Sequence, residues 1–533
     1  MQVRAIVDPA CMTTSYKQKP PNGEYDVIVI GSGIGGLAAA AALAKHADMR
    51  VLVLERHWTA GGLTQSFSRP GYEWDVGVHY VGEVGGDGPL RKPFEQLTEG
   101  RLAWAPLPDI YDSVHIGDRV FDLPSGRKRF ATSLSEKFPS ERRAIERFVE
   151  LIEDCRRASA AFFTAQALPP KLGAKVGGPL RDAFSAYAAK TTAEVVWSLT
   201  SDPVLRAVLT AHFGNYATPP RESSFAVHAG VVGNFIDGAW FPIGGAGAIA
   251  RAFEPTIEAA GGAIYVSAEV EQVLAPDGVA RGVRMIDGRE LRAPLVISDA
   301  GVSTTFNRLL PNPTPPKLGP SHAHACLYLG FAASDEELGL HGTNMWMYPD
   351  ENHDENCARF YEDPDARIPF VYASFPSAKD PSFRDRHPGH ATVDLLTVAR
   401  WEWFERWADR SWRRRGADYD AFKASLSSRM LEVLFAKLPQ LRGRVDCMEL
   451  STPLSTRDFT GHARGEMAGL DHTPARFANP PSPRTSIRNL FLSGQDVAIV
   501  GVAGAFLGGM LAASAAGGMS VMRDVMWDPS VTA

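Results

Sequence analysis

The sequence predicts an α/β fold, with a Rossmann-like parallel sheet bearing helices on both faces, joined to a second, mixed α+β domain. Three stretches carry that expectation. The first is Tyr25 to Gly36, YDVIVIGSGIGG, where the unbroken apolar run Val27 to Ile30 suits a strand covered on both faces. It runs through a glycine turn into an alanine-rich helix, Leu37 to Lys45. The second is the strand Val51 to Leu54, which ends in Glu55. The third lies hundreds of residues later: Asn489 to Asp496, NLFLSGQD, is again a strand closing in a glycine and an acid, and it leads into a helix after Gly501.

Each element has a physical reason. Gly31, Gly33 and Gly36 stand in G-x-G-x-x-G spacing. Gly31 permits a tight turn, Gly33 lets a pyrophosphate approach the backbone, and Gly36 lets the helix pack closely on the strand. The helix points its unpaired N–H groups and positive dipole end at the phosphates. Glu55, 24 positions after Gly31, is where a ribose hydroxyl pair is gripped. A nicotinamide domain is completed within one contiguous stretch, whereas here a second signature near the C-terminus implies one cofactor domain assembled from both ends of the chain. That distribution, and the glycine-interrupted aromatic strand Gly71 to Tyr80, favour FAD. The residues expected to hold it are Gly31, Ser32, Gly33 and Gly36 in the turn, Glu55 and Arg56 after the second strand, Gly62 and Leu63 in a glycine loop, Val270 as an apolar wall for the adenine, and Gly494, Asp496 and Val502 near the C-terminus.

The rest of the chain divides accordingly. At 533 residues it exceeds one simple core. A flexible leader is expected over residues 1–24. The FAD-binding domain is expected to be discontinuous, from 25–100, 241–305 and 485–533. The substrate-binding domain takes 101–240 and 306–484, with a helical subdomain at about 141–210. Strands are expected at Gly261 to Val266, in a hairpin Val270 to Met285 around Pro276-Asp277-Gly278, and at Leu295 to Ser298, which returns to the central sheet. Trp401 to Trp407 reads as an aromatic helix.

Composition bounds the function. Apolar content of 45% and charged content of 22% are ordinary for a globular protein, and a net charge of −6 offers no footprint for nucleic acid. The five cysteines, Cys11, Cys155, Cys326, Cys357 and Cys447, are scattered, form no metal pattern, and fit reduced thiols in the cytoplasm. Met1 to Pro21 has no apolar core of a secretory signal. Val497 to Met519 is apolar but interrupted by six glycines, which fits a helix packed inside a domain better than a membrane span. Ser159 to Lys190 sets Phe162, Phe163, Leu168, Leu172, Leu180, Phe184 and Tyr187 among Lys171, Lys175, Arg181 and Lys190. Such a stretch suits peripheral contact with the inner face of a membrane, or equally a solvated helix pair of the substrate domain.

Several motifs together resemble the flavoprotein family of phytoene desaturases, carotenoid isomerases and retinol saturases, and within it the retinol saturase branch. The resemblance runs from Tyr25 to about Ala516. Beyond the glycine motif it rests on Gly77-Val78-His79-Tyr80, Thr98 to Leu107, Phe241-Pro242-Ile243-Gly244-Gly245, Phe375 to Pro381, Glu402-Trp403-Phe404, Thr452 to Ser455, Gly469-Leu470-Asp471-His472 and Gly494 to Val497. The N-terminal motif is common to many flavoproteins, and the later ones are more specific. One departure is Leu63-Thr64, where animal saturases have a cysteine pair. The resemblance implies a FAD enzyme acting on carbon–carbon double bonds of a long apolar lipid or isoprenoid, by saturation, desaturation or isomerisation.

Such chemistry needs a hydride at the flavin and a proton partner on the other carbon, inside an apolar, water-excluding passage. His79, Tyr80 and His472 are the residue types able to serve the proton. Phe241, Gly244, Gly245 and Asp471 are expected beside the substrate. Each has a packing alternative: a buried histidine satisfied by backbone, a core aromatic, a turn glycine. A flavin-containing lipid carrier without turnover, and an amine oxidase by fold analogy, are the rival classes.

Overall fold

The computed structural model describes residues 13–168, 170–311 and 318–527; Cys11 and the side chains of Lys171 and Leu172 lie outside the described residues. The central sheet has six parallel strands: β1 (Thr14–Ser15), β2 (Val27–Ile30), β3 (Val51–Leu54), β4 (Ala263–Val266), β5 (Leu295–Ser298) and β6 (Leu490–Leu492), in the order β1-β4-β3-β2-β5-β6. Both ends of the chain therefore meet in one sheet, because β5 pairs with β2 on one side and β6 on the other.

Strand periodicity decides which side chains go to which face. Val27, Val29, Val51, Val53 and Ile297 join the large core on one side, which is built with the helices Ile34–Ala47, Gly247–Ala259 and Gly501–Gly517. Ile28, Ile30, Leu52, Leu54 and Val296 point the other way. They are covered by a three-stranded antiparallel sheet, Val270–Val273, Gly282–Met285 and Glu290–Arg292, whose Val270, Val273, Val283 and Met285 complete a second core. The expectation of helices on both faces is thus corrected at this layer: the hairpin forms as read, and it provides the apolar cover itself.

Of the expected leader, residues 1–12 lie outside the described residues, and the described part is held in place. Thr14 and Ser15 pair with Tyr265 and Val266 at the sheet edge, and Tyr16 is buried with its hydroxyl donating to Asp287 Oδ1 at 3.1 Å. An apolar ring with a specific partner holds this segment down.

The glycine-rich helix Gly501–Gly517 packs along Ile34–Ala47, and small residues set the approach. A Cβ on Gly509 would lie 2.4 Å from Gly35 O, and one on Gly508 would lie 2.1 Å from Gly494 O. No described helix is long and apolar enough to cross a membrane.

A second, seven-stranded mixed sheet has the order Cys447–Ser451, Ala323–Phe331, Ala391–Ala399, Val371–Ser374, Asn344–Tyr348, Ile110–Ile116, Arg119–Pro124. Helices Arg142–Ala167, Pro170–Ala188, Thr192–Leu199 and Pro203–Thr210 form the helical part. There Phe162, Phe163 and Phe184 are buried: Phe162 stacks on Phe184 at 4.5 Å, and Phe184 meets the edge of Phe477 at 5.3 Å. These rings close a core and are not available to dip into lipid. Trp401 to Trp407 forms two short 3₁₀ turns instead of a helix, with Phe404 and Trp407 buried.

Candidate active site

A large cavity of about 550 Å³ is lined by residues of both sheets. At one end it is lined by Gly31, Gly33, Glu55, Arg56, Gly62, Leu63, Val270, Gly494, Asp496 and Val502, all expected at the cofactor. Ser32 and Gly36 stand behind this wall. Ser32 Oγ donates to Glu55 Oε2 at 2.6 Å and accepts from Gly61 N at 2.9 Å, and a Cβ on Gly36 would sit 2.4 Å from Gly31 O. Both shape the turn without lining the cavity.

The wall at this end suits a dinucleotide. Gly31 adopts φ +98°, open to glycine at little cost. Helices Ile34–Ala47 and Gly501–Gly517 both begin at the cavity, and neither has a side-chain cap or an acid in its first turn. Two uncapped helix N-termini directed at one cavity make a site for a doubly anionic group such as a pyrophosphate. The two turns touch: a Cβ on Gly35 would lie 2.6 Å from Gly494 Cα. The Glu55 carboxylate is oriented by Ser32 N at 3.0 Å and His57 N at 2.8 Å, leaving lone pairs for a ribose. Asp496 instead ties two segments, accepting from Val302 N and Leu470 N at 2.8 Å each. Asp299, which follows β5, was not anticipated. It is half-buried against Gly33 and Gly35 at the cavity wall, and desolvation foremost pushes its carboxyl up to about 7. A strand ending in an acid, as at Leu54-Glu55, is the signal that could have found it.

The other end of the cavity is aromatic. Trp346, Tyr372 and Leu396 lie directly opposite one another on neighbouring strands and form a row on one face of the mixed sheet. Phe370, Phe235, His79 and Tyr80 close the sides, with Tyr80 stacked on Phe235 at 4.0 Å. Behind the row lies a buried polar network. Asp112 Oδ2 accepts from Tyr80 Oη at 3.1 Å and pairs with His212 Nε2 at 2.8 Å, while Oδ1 accepts from Asn344 Nδ2 at 2.9 Å. Lys379 Nζ donates to His79 O at 2.8 Å, to Ser374 Oγ at 2.7 Å and to Asn344 Oδ1. Burial draws the Lys379 ammonium down to about 7 and the His79 imidazole down to about 3. Asp112, Trp346 and Tyr372 did not stand out in the sequence, since each comes from a separate strand, and Lys379 stood only within the Phe375 to Pro381 motif.

Five expectations are corrected. His472 does not line the cavity: it is fully buried, with Nε2 donating to Ala468 O at 2.9 Å and its own carbonyl accepting from Ser224 N at 2.8 Å, and burial drives its pKa far down. It joins two segments of the core. Asp471 also stands off the cavity, its backbone N–H donating to Gly319 O at 3.0 Å. Phe241 is a core ring on a strand paired with Trp104–Pro106. The amides of Gly244 and Gly245 both donate to Asp380 Oδ2, at 3.0 and 3.1 Å, so these glycines wrap a carboxylate instead of flanking a flavin ring.

Residues 34–335 match the family described as flavin containing amine oxidoreductase. An oxidoreductase structure from Methanosarcina mazei superposes with a TM-score of 0.59 at 20% identity, over 91% of this chain and 98% of that one, so the fold is shared. The fold and site are those of a FAD-dependent oxidoreductase. In sequence, the all-trans-retinol 13,14-reductase of Danio rerio is 37% identical over 92% of this chain and 86% of that protein. The chloroplastic prolycopene isomerase of Arabidopsis thaliana is 27% identical over 93% and 83%. The chain belongs to the all-trans-retinol 13,14-reductase family of flavoproteins.

Proposed function

We propose that this enzyme adds, removes or rearranges hydrogen at a carbon–carbon double bond of a long apolar polyene or other isoprenoid lipid. The observation that carries the reading is the continuity of the cavity, which has a dinucleotide-shaped wall at one end and an aromatic row at the other. Both relatives named above carry polyene-acting names, in keeping with this chemistry. When bound, FAD would supply hydride transfer at carbon.

The chain's own residues do the rest. Gly31, Gly33 and the helix beginning at Gly501 would hold the diphosphate, and Glu55 would hold the ribose. Trp346, Tyr372 and Phe370 hold the polyene flat and exclude water. His79 supplies or takes the proton, as the imidazole that lines the aromatic end with neither ring nitrogen hydrogen-bonded. Tyr80 orients the lipid, its hydroxyl being engaged by Asp112.

The lipid enters from a membrane surface. Met522, Met526 and the exposed Trp527 line the cavity, and helix Pro170–Ala188, packed beside the cavity-lining helix Arg142–Ala167, carries the exposed cations Lys175 and Arg181.

The test is lipid extraction and mass spectrometry from cells with and without the protein, followed by anaerobic mixing of the purified holoenzyme with the lipid that changes. A mass difference of two hydrogens with bleaching or re-oxidation of the flavin supports a saturase or desaturase, and an isomer of unchanged mass supports isomerisation. No altered lipid and no flavin response overturns the reading in favour of a carrier. Flotation with anionic vesicles checks the membrane contact.

A further inference from the structure

We propose that Asp394 is kept as a protonated acid and acts as the proton store behind His79, a relay built into the sheet under the aromatic row. The proposal rests on His79 as the proton-handling group of the function above.

Asp394 lies two residues before Leu396 on the strand Ala391–Ala399, so strand periodicity puts it on the same face as the Trp346-Tyr372-Leu396 row, one step further in. Its cross-strand partners are Ser374 and Tyr328. The side chain is fully buried, and neither carboxyl oxygen has a hydrogen-bond partner. A carboxylate without a donor in a dry interior is far too costly to persist, whereas the neutral acid needs only one acceptor for its proton.

An acceptor is in place. His79 Nδ1 is 3.4 Å from Asp394 Oδ2, neither ring nitrogen of His79 has a hydrogen bond, and the ring lines the cavity. Separations of this size are usual in unliganded sites and tighten when substrate binds. The groups that act on Asp394 agree: burial raises its pKa, Lys379 is the cation that favours the carboxylate, and Tyr328, Cys326, Tyr372 and Asp75 are the remaining ionisable neighbours. Lys379 also fixes the loop, since its ammonium is bonded to the His79 carbonyl.

In the saturating direction the proton on His79 Nε2 goes to one alkene carbon, which bonds to it with the π electron pair. FAD, when bound, would supply the hydride for the neighbouring carbon. As Nε2 loses its proton, Nδ1 takes the one from Asp394 Oδ2, so the ring changes tautomer without becoming an imidazolium. The negative charge ends on Asp394, under the influence of the Lys379 ammonium. Desaturation reverses each transfer. Asp394 is therefore a positioning residue that works through His79.

The experiment is infrared difference spectroscopy of the holoenzyme at neutral pH, in H₂O and D₂O, wild type against Asp394→Asn. A deuterium-sensitive carboxylic-acid carbonyl band, present in the wild type and lost in the variant, is expected; an identical acid region in the two proteins overturns the proposal. If Asp394→Asn does not fold, His79→Leu reads the same pair: the acid band should move to higher frequency when its acceptor is removed, and an unmoved band overturns the proposal. With the lipid found above, Asp394→Asn should slow flavin bleaching or re-oxidation about 100-fold with little change in KM, and Asp394→Glu should recover most of the rate. Wild-type rates in Asp394→Asn overturn the relay. An acid band that behaves as expected in an enzyme that reacts with no lipid defeats the proposed function and leaves the Asp394–His79 pair standing.

Discussion

The two ends of the cavity are built on opposite principles. At the cofactor end the wall is mostly backbone: glycine turns at Gly31–Gly33 and Gly494, and two helix N-termini. At the aromatic end it is mostly side chain, a row of Trp346, Tyr372 and Leu396 from three strands over a buried network of Asp112, Asn344 and Lys379. A backbone wall is specified by where side chains are missing and tolerates little added volume. A side-chain wall is specified by satisfied polar groups and tolerates little loss of a partner.

Four substitutions sharpen or break this contrast. The largest effect is expected at the aromatic end from Asp112→Ala, which strands the Tyr80 hydroxyl, His212 and Asn344 in the interior. Denaturant unfolding should show a loss of about 3–5 kcal/mol. At the cofactor end, Gly35→Val puts new carbon against Gly494 and Asp299, and should cost about 1–3 kcal/mol while the protein purifies largely without flavin absorbance. Normal flavin content in that variant would break the contrast at its firmest point. Glu55→Gln keeps the shape and removes the charge, so FAD affinity measured by fluorescence should fall about tenfold, or roughly 1.4 kcal/mol.

The fourth test is a pH dependence. Burial holds the His79 imidazole at about 3, against 6.5 in an unfolded chain. Below pH 6.5 the unfolded state therefore binds a proton that the folded state refuses, and stability contributed by this site is present above 6.5 and is lost as pH falls toward 3. Wild type should lose stability relative to His79→Gln over that window, by at most about 1.4 kcal/mol per pH unit.

The same contrast explains what could be read in the chain. That Gly31, Gly33, Glu55, Gly494 and Asp496 line one cavity was legible because a glycine turn is local: strand, glycine and helix follow one another in sequence. The discontinuous sheet was legible because NLFLSGQD repeats the strand-to-glycine pattern far downstream. The aromatic row was not, since each member belongs to a different strand and only register brings them together. Motif membership misled at His472 and at Gly244-Gly245: both positions lie in distinctive stretches, but one ties core segments together and the other wraps Asp380. The second face of the sheet was misassigned because an apolar strand shows that it is covered without showing whether by helix or by hairpin.

The strand order bears on how the polypeptide is made. β5 pairs with a strand synthesised among the first thirty residues and with another that emerges only at Leu490. Between the two, the growing polypeptide presents the apolar segment Leu295–Ser298 with one side of its backbone unpaired, for roughly 10 to 40 s at usual translation rates. Such an open edge invites pairing with other chains. Expression in slow-growing cells at low temperature, or with added chaperones, should raise the yield of native enzyme by guarding that edge until its last neighbour arrives.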